Sequence, residues 1–304
     1  MKTLLMLVVV GAVTLSAQTV TIPARVFDVG HGKFDSFDAM IADISKADVI
    51  FVGEQHDDSN THLLERAILE AVAKRRKDVV VAMEMFERDV QDPLVHFSMG
   101  HLSEDEFLQA SRPWPNYRTD YKPIVDFAIE KNWPVVASNV PRPMASEVSK
   151  LGWDALATKS DAEKKWFAAD RQCPVDDDYF VRFAEAMGEH PTSGAPDAAT
   201  DDARAKRAGL ERFYFAQCLK DETMGESVAQ AVLAAKKAPL VVHVNGAFHS
   251  DFHEGTAARA ARRLPGRRIV VISILPIDRL DAVTAPDKAE QKRADYLIYT
   301  PAAK

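Results

Sequence analysis

Five stretches of the chain are short, apolar almost throughout and rich in β-branched residues: 48–53 (DVIFVG), 78–83 (DVVVAM), 134–138 (PVVAS), 239–244 (PLVVHV) and 267–275 (RRIVVISIL). A strand with one wet face alternates apolar and polar residues. These runs do not alternate, which is the pattern of strands buried on both faces, as in a parallel sheet. Between them the period changes. Over 60–76, Leu63, Leu64, Ala67, Ile68, Ala71 and Val72 fall on one helical face. Over 120–131 the same spacing returns with Ile124, Val125, Phe127, Ala128 and Ile129, and 257–264 links the last two strands. Strand–helix alternation predicts an α/β fold: a mostly parallel central sheet with helices on both faces.

Two intervals are longer. The first, 87–116, predicts two short helices and a Trp114-Pro115 loop. The second, 143–237, reads as wholly helical and more polar, broken by a turn-forming stretch at 190–197. It is expected to be a helical insertion or subdomain that could cover one edge of the sheet. After Pro276 comes a polar link, and 295–300 (DYLIYT) reads as a final strand, most simply at a sheet edge.

The N-terminus changes the picture of where the chain works. Met1-Lys2-Thr3, an apolar run from Leu4 to Val13 and a small residue at Ala17 have the form of a secretory signal peptide. The run is shorter than the roughly 20 residues a membrane span needs. The expectation is a leader at 1–17, then one α/β domain over 18–304, exported to the periplasm or secreted. No cysteine follows the leader, so a lipoprotein is not expected, and no other stretch is apolar enough to span a membrane. Of 304 residues, 47% are hydrophobic and 27% charged, enough for a real core. A net charge of -7 argues against a nucleic-acid partner, which would need clustered Lys and Arg. In an oxidising compartment Cys173 and Cys218 could pair. They could equally be two separate buried thiols, and their positions in sequence do not decide.

The chemistry gathers where strands end. The first ends in Gly53-Glu54-Gln55-His56, the second in Glu84-Met85-Phe86, the third in Ser138-Asn139 with Arg142 beyond, and the fourth in Asn245-Gly246-Ala247-Phe248-His249, with His253 and Glu254 next. In an open parallel sheet these ends share one edge, and ligands bind outside it. Glu54, His56, Glu84, Asn139, Asn245 and His249 could therefore converge. Two histidines and one or two carboxylates suit zinc, iron or manganese with an open position for water. A remaining glutamate could act as general base, and Glu with His could also activate water without metal. The bland alternative is that the carboxylates cap helices and the histidines make structural hydrogen bonds. His253 lies four residues after His249, on the same face if a helix has begun there and exposed if it has not. His243, inside a strand, reads as a satisfied core histidine. His31, His62, His96, His101 and His190 read as surface or structural.

The segment Arg112-Pro113-Trp114-Pro115-Asn116-Tyr117-Arg118-Thr119-Asp120-Tyr121-Lys122-Pro123 mixes aromatic and basic residues ahead of a helix. It is either a packed loop with Trp114 as an apolar plug or a ligand-facing surface. Tyrosine can ligate ferric haem, Arg and Lys can meet propionates, and Trp114 can stack on a porphyrin. Residue chemistry alone ranks haem behind a metal or a small organic substrate.

The ordered set GEQH, EMFERDVQ, WPNYRTDYKPIVDFA, PVVASNVPRP, NGAFHSDFHEG and ADYLIYTP resembles the ChaN-like haem-binding uptake proteins over about residues 27–300. These group with Tiki-type and erythromycin-esterase-type proteins. The resemblance implies an α/β fold with a helical subdomain and haem bound at a pocket that can involve a homodimer. It implies a tyrosine iron ligand, Tyr121 first and Tyr117 second; residue chemistry sets Arg118 and Trp114 beside it, and the strand ends add Asn139, Arg142 and Asn245 as further pocket residues. The paired Gly-x-x-His elements also look like those of the Tiki and TraB group. That likeness implies a peptidase-like metal site at His56, Glu84 and His249, to which residue spacing adds His253 as a further ligand to zinc or manganese and residue chemistry adds Glu54 as base. Three functions follow as expectations: an exported haem- or iron-handling protein, a metal-dependent hydrolase, or a non-catalytic binding module on the same fold.

Overall fold

The computed structural model describes residues 23–188, 200–234 and 238–303. The leader segment and the turn-forming stretch at 190–197 lie outside the described residues. Eight strands form one sheet in the order β2-β1-β8-β7-β3-β6-β4-β5. They are β1 (Arg25–Asp28), β2 (Lys33–Asp35), β3 (Val49–Glu54), β4 (Val79–Glu87), β5 (Val135–Asn139), β6 (Leu240–Gly246), β7 (Ile269–Ile277) and β8 (Tyr296–Pro301). From β8 to β5 every pairing is parallel. Only the β1–β2 hairpin, joined to β8, runs antiparallel.

The central strands lack alternation because both of their faces are covered. Ile50, Val52, Val81, Met83, Val242 and Val244 point into one core. It is closed by the helices α1 (Phe37–Ile44), α2 (Ser59–Ala73), α3 (Gln91–Ser98), α4 (Glu104–Ser111) and α5 (Lys122–Glu130). Their neighbours Val49, Phe51, Val80, Ala82 and Val241 point into the other. Successive strand residues project to opposite faces, so two cores require apolar residues at nearly every position.

Helices α6 (Arg142–Leu151), α7 (Asp154–Ala157), α8 (Asp161–Lys164), α9 (Asp178–Ala186) and α10 (Asp201–Leu233) follow β5, and α11 (Gly255–Arg263) follows β6. The 33-residue α10 has two tasks. Val228, Ala229 and Val232 in its last turns belong to the second sheet core. Tyr214 and Cys218 pack with Tyr179, Phe180 and Phe183 of α9 in a separate cluster over the strand ends. Gly225 lets α10 lie directly on α11: a Cβ there would sit 2.7 Å from that of Arg259 and 2.9 Å from the Ala260 nitrogen. Cys173 and Cys218 form a disulfide, which ties the chain before α9 to the middle of α10. Among the described residues no helix is long and apolar enough to cross a membrane.

One expectation about the sheet changes. β8 is not an edge strand, since β7 and β1 flank it on either side. The edge belongs to the β1–β2 hairpin, whose strands are only four and three residues long and too short for a periodicity to show.

Candidate functional site

Parallel register brings the strand ends level: Gly53 pairs with Asn245 and Glu54 with Gly246. Beyond them opens a cavity of about 750 Å³, whose lining includes His56, Glu84, Trp114, Phe183, Lys220 and Phe252. Glu54, Gly246 and His249 line it too, and α9 and α10 supply the opposite wall.

The first Gly-x-x-His element holds its own carboxylate. Glu54 is fully buried, and its Oε1 accepts from His56 Nδ1 at 2.5 Å and from the Tyr121 hydroxyl at 2.8 Å. His56 is 44% exposed, with Trp114 packed edge-on at 4.9 Å between ring centroids. Its Nε2 turns toward Gly246, where a Cβ would lie 2.6 Å away. Glycine at 246 therefore makes room for the imidazole. Burial works against charge on both Glu54 and His56, but their hydrogen bond outweighs it. Helped by His62, it brings the Glu54 carboxyl down to about 2, and it raises His56 above its ordinary value.

The second element is built differently. His249 is buried between two carboxylates, with Nδ1 2.7 Å from Asp221 Oδ1 and Nε2 3.2 Å from Glu84 Oε1. Each carboxylate has further donors. Glu84 Oε2 accepts from the Gly246 backbone N–H at 2.8 Å. Asp221 accepts from Tyr179 Oη at 2.6 Å and Thr256 Oγ1 at 2.9 Å. Burial opposes an imidazolium here, yet Glu84 and Asp221 outweigh it and hold the His249 pKa up to about 10. Burial likewise opposes the Glu84 charge, and His249 drives it well below the ordinary carboxylate range. The result is a satisfied buried ion triad.

The remaining candidates divide. Asn245 and Asn139 are buried scaffolding. Asn245 accepts from His243 Nδ1 at 2.9 Å and donates to Ser250, while Asn139 donates to the Glu84 carbonyl at 3.0 Å. His253 does not share a helix face with His249. Each lies in its own short 3₁₀ turn, His253 has φ 58°, and its side chain is exposed. Arg142 is exposed and pairs with Glu87 at 2.5 Å. Arg118 is exposed and pairs with Glu104 and Asp105. Both tyrosines point inward from the single π-helical turn Tyr117–Tyr121. Tyr121 is fully buried with its hydroxyl on Glu54, and Tyr117 packs on Phe86 and Phe107. Neither faces the cavity, so neither is placed to meet an iron there. Of the aromatic segment only Trp114 lines it.

Metal donors also converge elsewhere than expected. Among the described residues, the set with all donor atoms within 4.8 Å of one another is Glu54, His62 and Glu65. His56, Glu84 and His249 do not form such a set. His62, read above as surface or structural, is buried against both glutamates. Asp221, Gln217, Tyr179 and Lys220 also went unread. They reach the site from helices that carry no strand-end signal, and only a three-dimensional neighbour identifies them.

Residues 40–260 match the family described as haem-binding uptake, Tiki superfamily, ChaN, and the chain belongs to that family. Its fold is similar to the structure described as cofacial heme binding to ChaN of Campylobacter jejuni, with a TM-score of 0.63 at 16% identity, covering 92% of this chain and 97% of that one. A Bacillus cereus protein of known structure aligns with a TM-score of 0.49 at 9% identity, over 86% of this chain and 90% of that one. In sequence, the chloroplastic protein RETICULATA-RELATED 5 of Arabidopsis thaliana is 22% identical over 268 residues, 84% of this chain. The match spans 34% of that plant protein, about a third of its length.

Proposed function

We propose that this chain is an exported haem-binding protein of haem or iron handling, and that it takes haem in the strand-end cavity with His56 Nε2 as iron ligand. The observation that carries this reading is the half-exposed imidazole of His56 at the cavity wall, its other nitrogen fixed by Glu54. A carboxylate on the distal nitrogen orients a ligating histidine and raises its basicity. The cavity volume lies in the range of cofactor pockets. Trp114, Phe183 and Phe252 supply apolar contact for a macrocycle. Arg182 and Arg293 at the rim already pair with Glu254 and Asp251. Lys220 has no carboxylate partner among the described residues and is free to meet a propionate. Bound haem would supply redox-active iron.

Titration with haem tests the ligand. A Soret band should form, shift or vanish in His56→Ala, and survive in Tyr121→Phe. The reverse pattern would return the ligand to the tyrosine. The Campylobacter relative is described as binding haem cofacially, and we extend to this chain a homodimer that stacks two haems. Haem-dependent doubling of mass in solution tests it. Export is tested by the mature N-terminus, expected at Gln18.

A second reading, hydrolysis, is favoured by one observation: the His56–Glu54 and His249–Asp221 pairs flank Glu84 and the Gly246 N–H. In this reading His56 would be the base that activates water, without metal. Glu54 is too strongly held as a carboxylate to serve. Turnover of an activated ester, lost in His56→Ala, would support it.

A further inference from the structure

Behind His56 the interior holds a group that the cavity does not use. His62 Nδ1 lies 2.9 Å from Glu54 Oε2 and 3.1 Å from Glu65 Oε2, and all three side chains are buried. The other ring nitrogen of His62 is 3.3 Å from the His56 carbonyl oxygen. A carbonyl only accepts, so Nε2 carries a proton, and in the neutral ring Nδ1 turns a lone pair toward two carboxylates. This is the outer arrangement of metal-bound histidines, with the distal N–H on a carbonyl. Glu54 Oε2, although close to Nδ1, is not aligned for a hydrogen bond with it. Neither Glu54 Oε2 nor Glu65 Oε1 has a hydrogen-bond partner among the described residues. Two neighbouring carboxylates in a dry interior cannot both ionise without a cation between them.

We propose that Glu54, His62 and Glu65 hold a divalent transition-metal ion, of the zinc or manganese kind, beneath the strand-end cavity. One imidazole and two carboxylates are donors such ions accept, and the two negative charges balance the ion. The spacings of 2.9 and 3.1 Å need open only slightly, because bonds of about 2.0–2.2 Å set tetrahedral neighbours about 3.3 Å apart. The ion enters as two protons leave, one from Glu65, whose carboxyl burial and the Glu54 charge push well up, and one from His62. The other oxygen of Glu54 carries His56 and Tyr121, so the ion would fix the carboxylate from which the cavity imidazole hangs.

The test uses the haem-free protein with its disulfide intact. It is unfolded in denaturant with chelator, refolded with or without Zn²⁺, desalted, and assayed for metal and Tm. About one zinc per chain is expected, with Tm raised by about 5 °C, and Co²⁺ in its place should give visible d–d bands. Glu65→Gln and His62→Gln should each cut occupancy by about tenfold or more, and His56→Ala should not. Wild type that carries less than about a tenth of an equivalent overturns the proposal, leaving a cluster that holds protons only. Metal retained in both Glu65→Gln and His62→Gln, or lost only in His56→Ala, overturns it as well. If Glu65→Gln does not refold, Glu65→Asp replaces it: a shifted Co²⁺ spectrum is expected, and an unchanged one counts against the site.

Discussion

The two Gly-x-x-His elements have the same spacing and the same place at a strand end, yet they leave their imidazoles in opposite states. His56 takes its carboxylate from within its own motif and keeps Nε2 at the cavity. His249 takes both partners from elsewhere, Glu84 on β4 and Asp221 on α10, and has no free nitrogen. The motif sets where a histidine sits, and its neighbours set whether it can bind anything. One element leaves an imidazole for the ligand proposed above, and the other holds the helical wall to the sheet.

The largest expected effect separates them by stability. His249→Ala strands two buried carboxylates and should cost about 3–5 kcal/mol in urea unfolding, as breaking a buried ion pair does. His56→Ala takes one donor from Glu54, which keeps Tyr121, and should cost less, about 2 kcal/mol, while removing the proposed haem ligand. Equal losses would end the contrast. Next is the bond that holds the His249 side together. Cys218 lies one turn before Asp221, and reducing the disulfide, which closes a separation of 45 residues, should cost about 4 kcal/mol in the chain-entropy picture. The same reduction should weaken haem binding less than His56→Ala does.

A pH titration sharpens the comparison further. The folded pKa of His249 is raised from 6.5 to about 10. Its contribution to stability is therefore complete below about pH 6.5 and is lost as pH rises through about 10, with a slope approaching about 1.4 kcal/mol per pH unit. In the metal-free protein His62, raised to about 11, acts in the same direction. His249→Gln should flatten this alkaline decline in part, and a wild-type profile level from pH 7 to 10 would contradict the triad. The smallest effect is local. Gly246→Ala places a methyl 2.6 Å from His56 Nε2, so it should weaken haem binding about tenfold while changing stability by about 1 kcal/mol or less.

Much of this is legible in the sequence. Strands 3 to 7 announce themselves because burial on two faces leaves no polar positions, as in the run Val49 to Val52. Glu54, His56, Glu84 and His249 follow from the rule that parallel strand ends share an edge. The tyrosines did not, because a residue at the entry to a helix can face either way, and the π-helical turn sends Tyr117 and Tyr121 inward. Asp221 was hidden for a different reason. It is an acid in the middle of a long, charge-rich helix, and its packing against His249, Tyr179 and Thr256 sets it apart from the exposed acids nearby. His62 and Glu65 have the spacing of an ordinary surface pair on a helix, and nothing local shows that this face of α2 is covered by β3 and the π-helical turn.

The position of β8 between β7 and β1 also dictates an order of assembly. The hairpin of β1 and β2 emerges early during synthesis, but its sheet neighbour is β8, with Arg25 opposite Tyr299. Until β8 is made, the hairpin has no place to dock, and β7 is left with an open side. Pairings this distant in sequence are slow to form, and unpaired strand edges invite association with other chains. For this fold the vulnerable interval is the one before β8 docks, when the parallel strands are in place and the last seam is still unstitched.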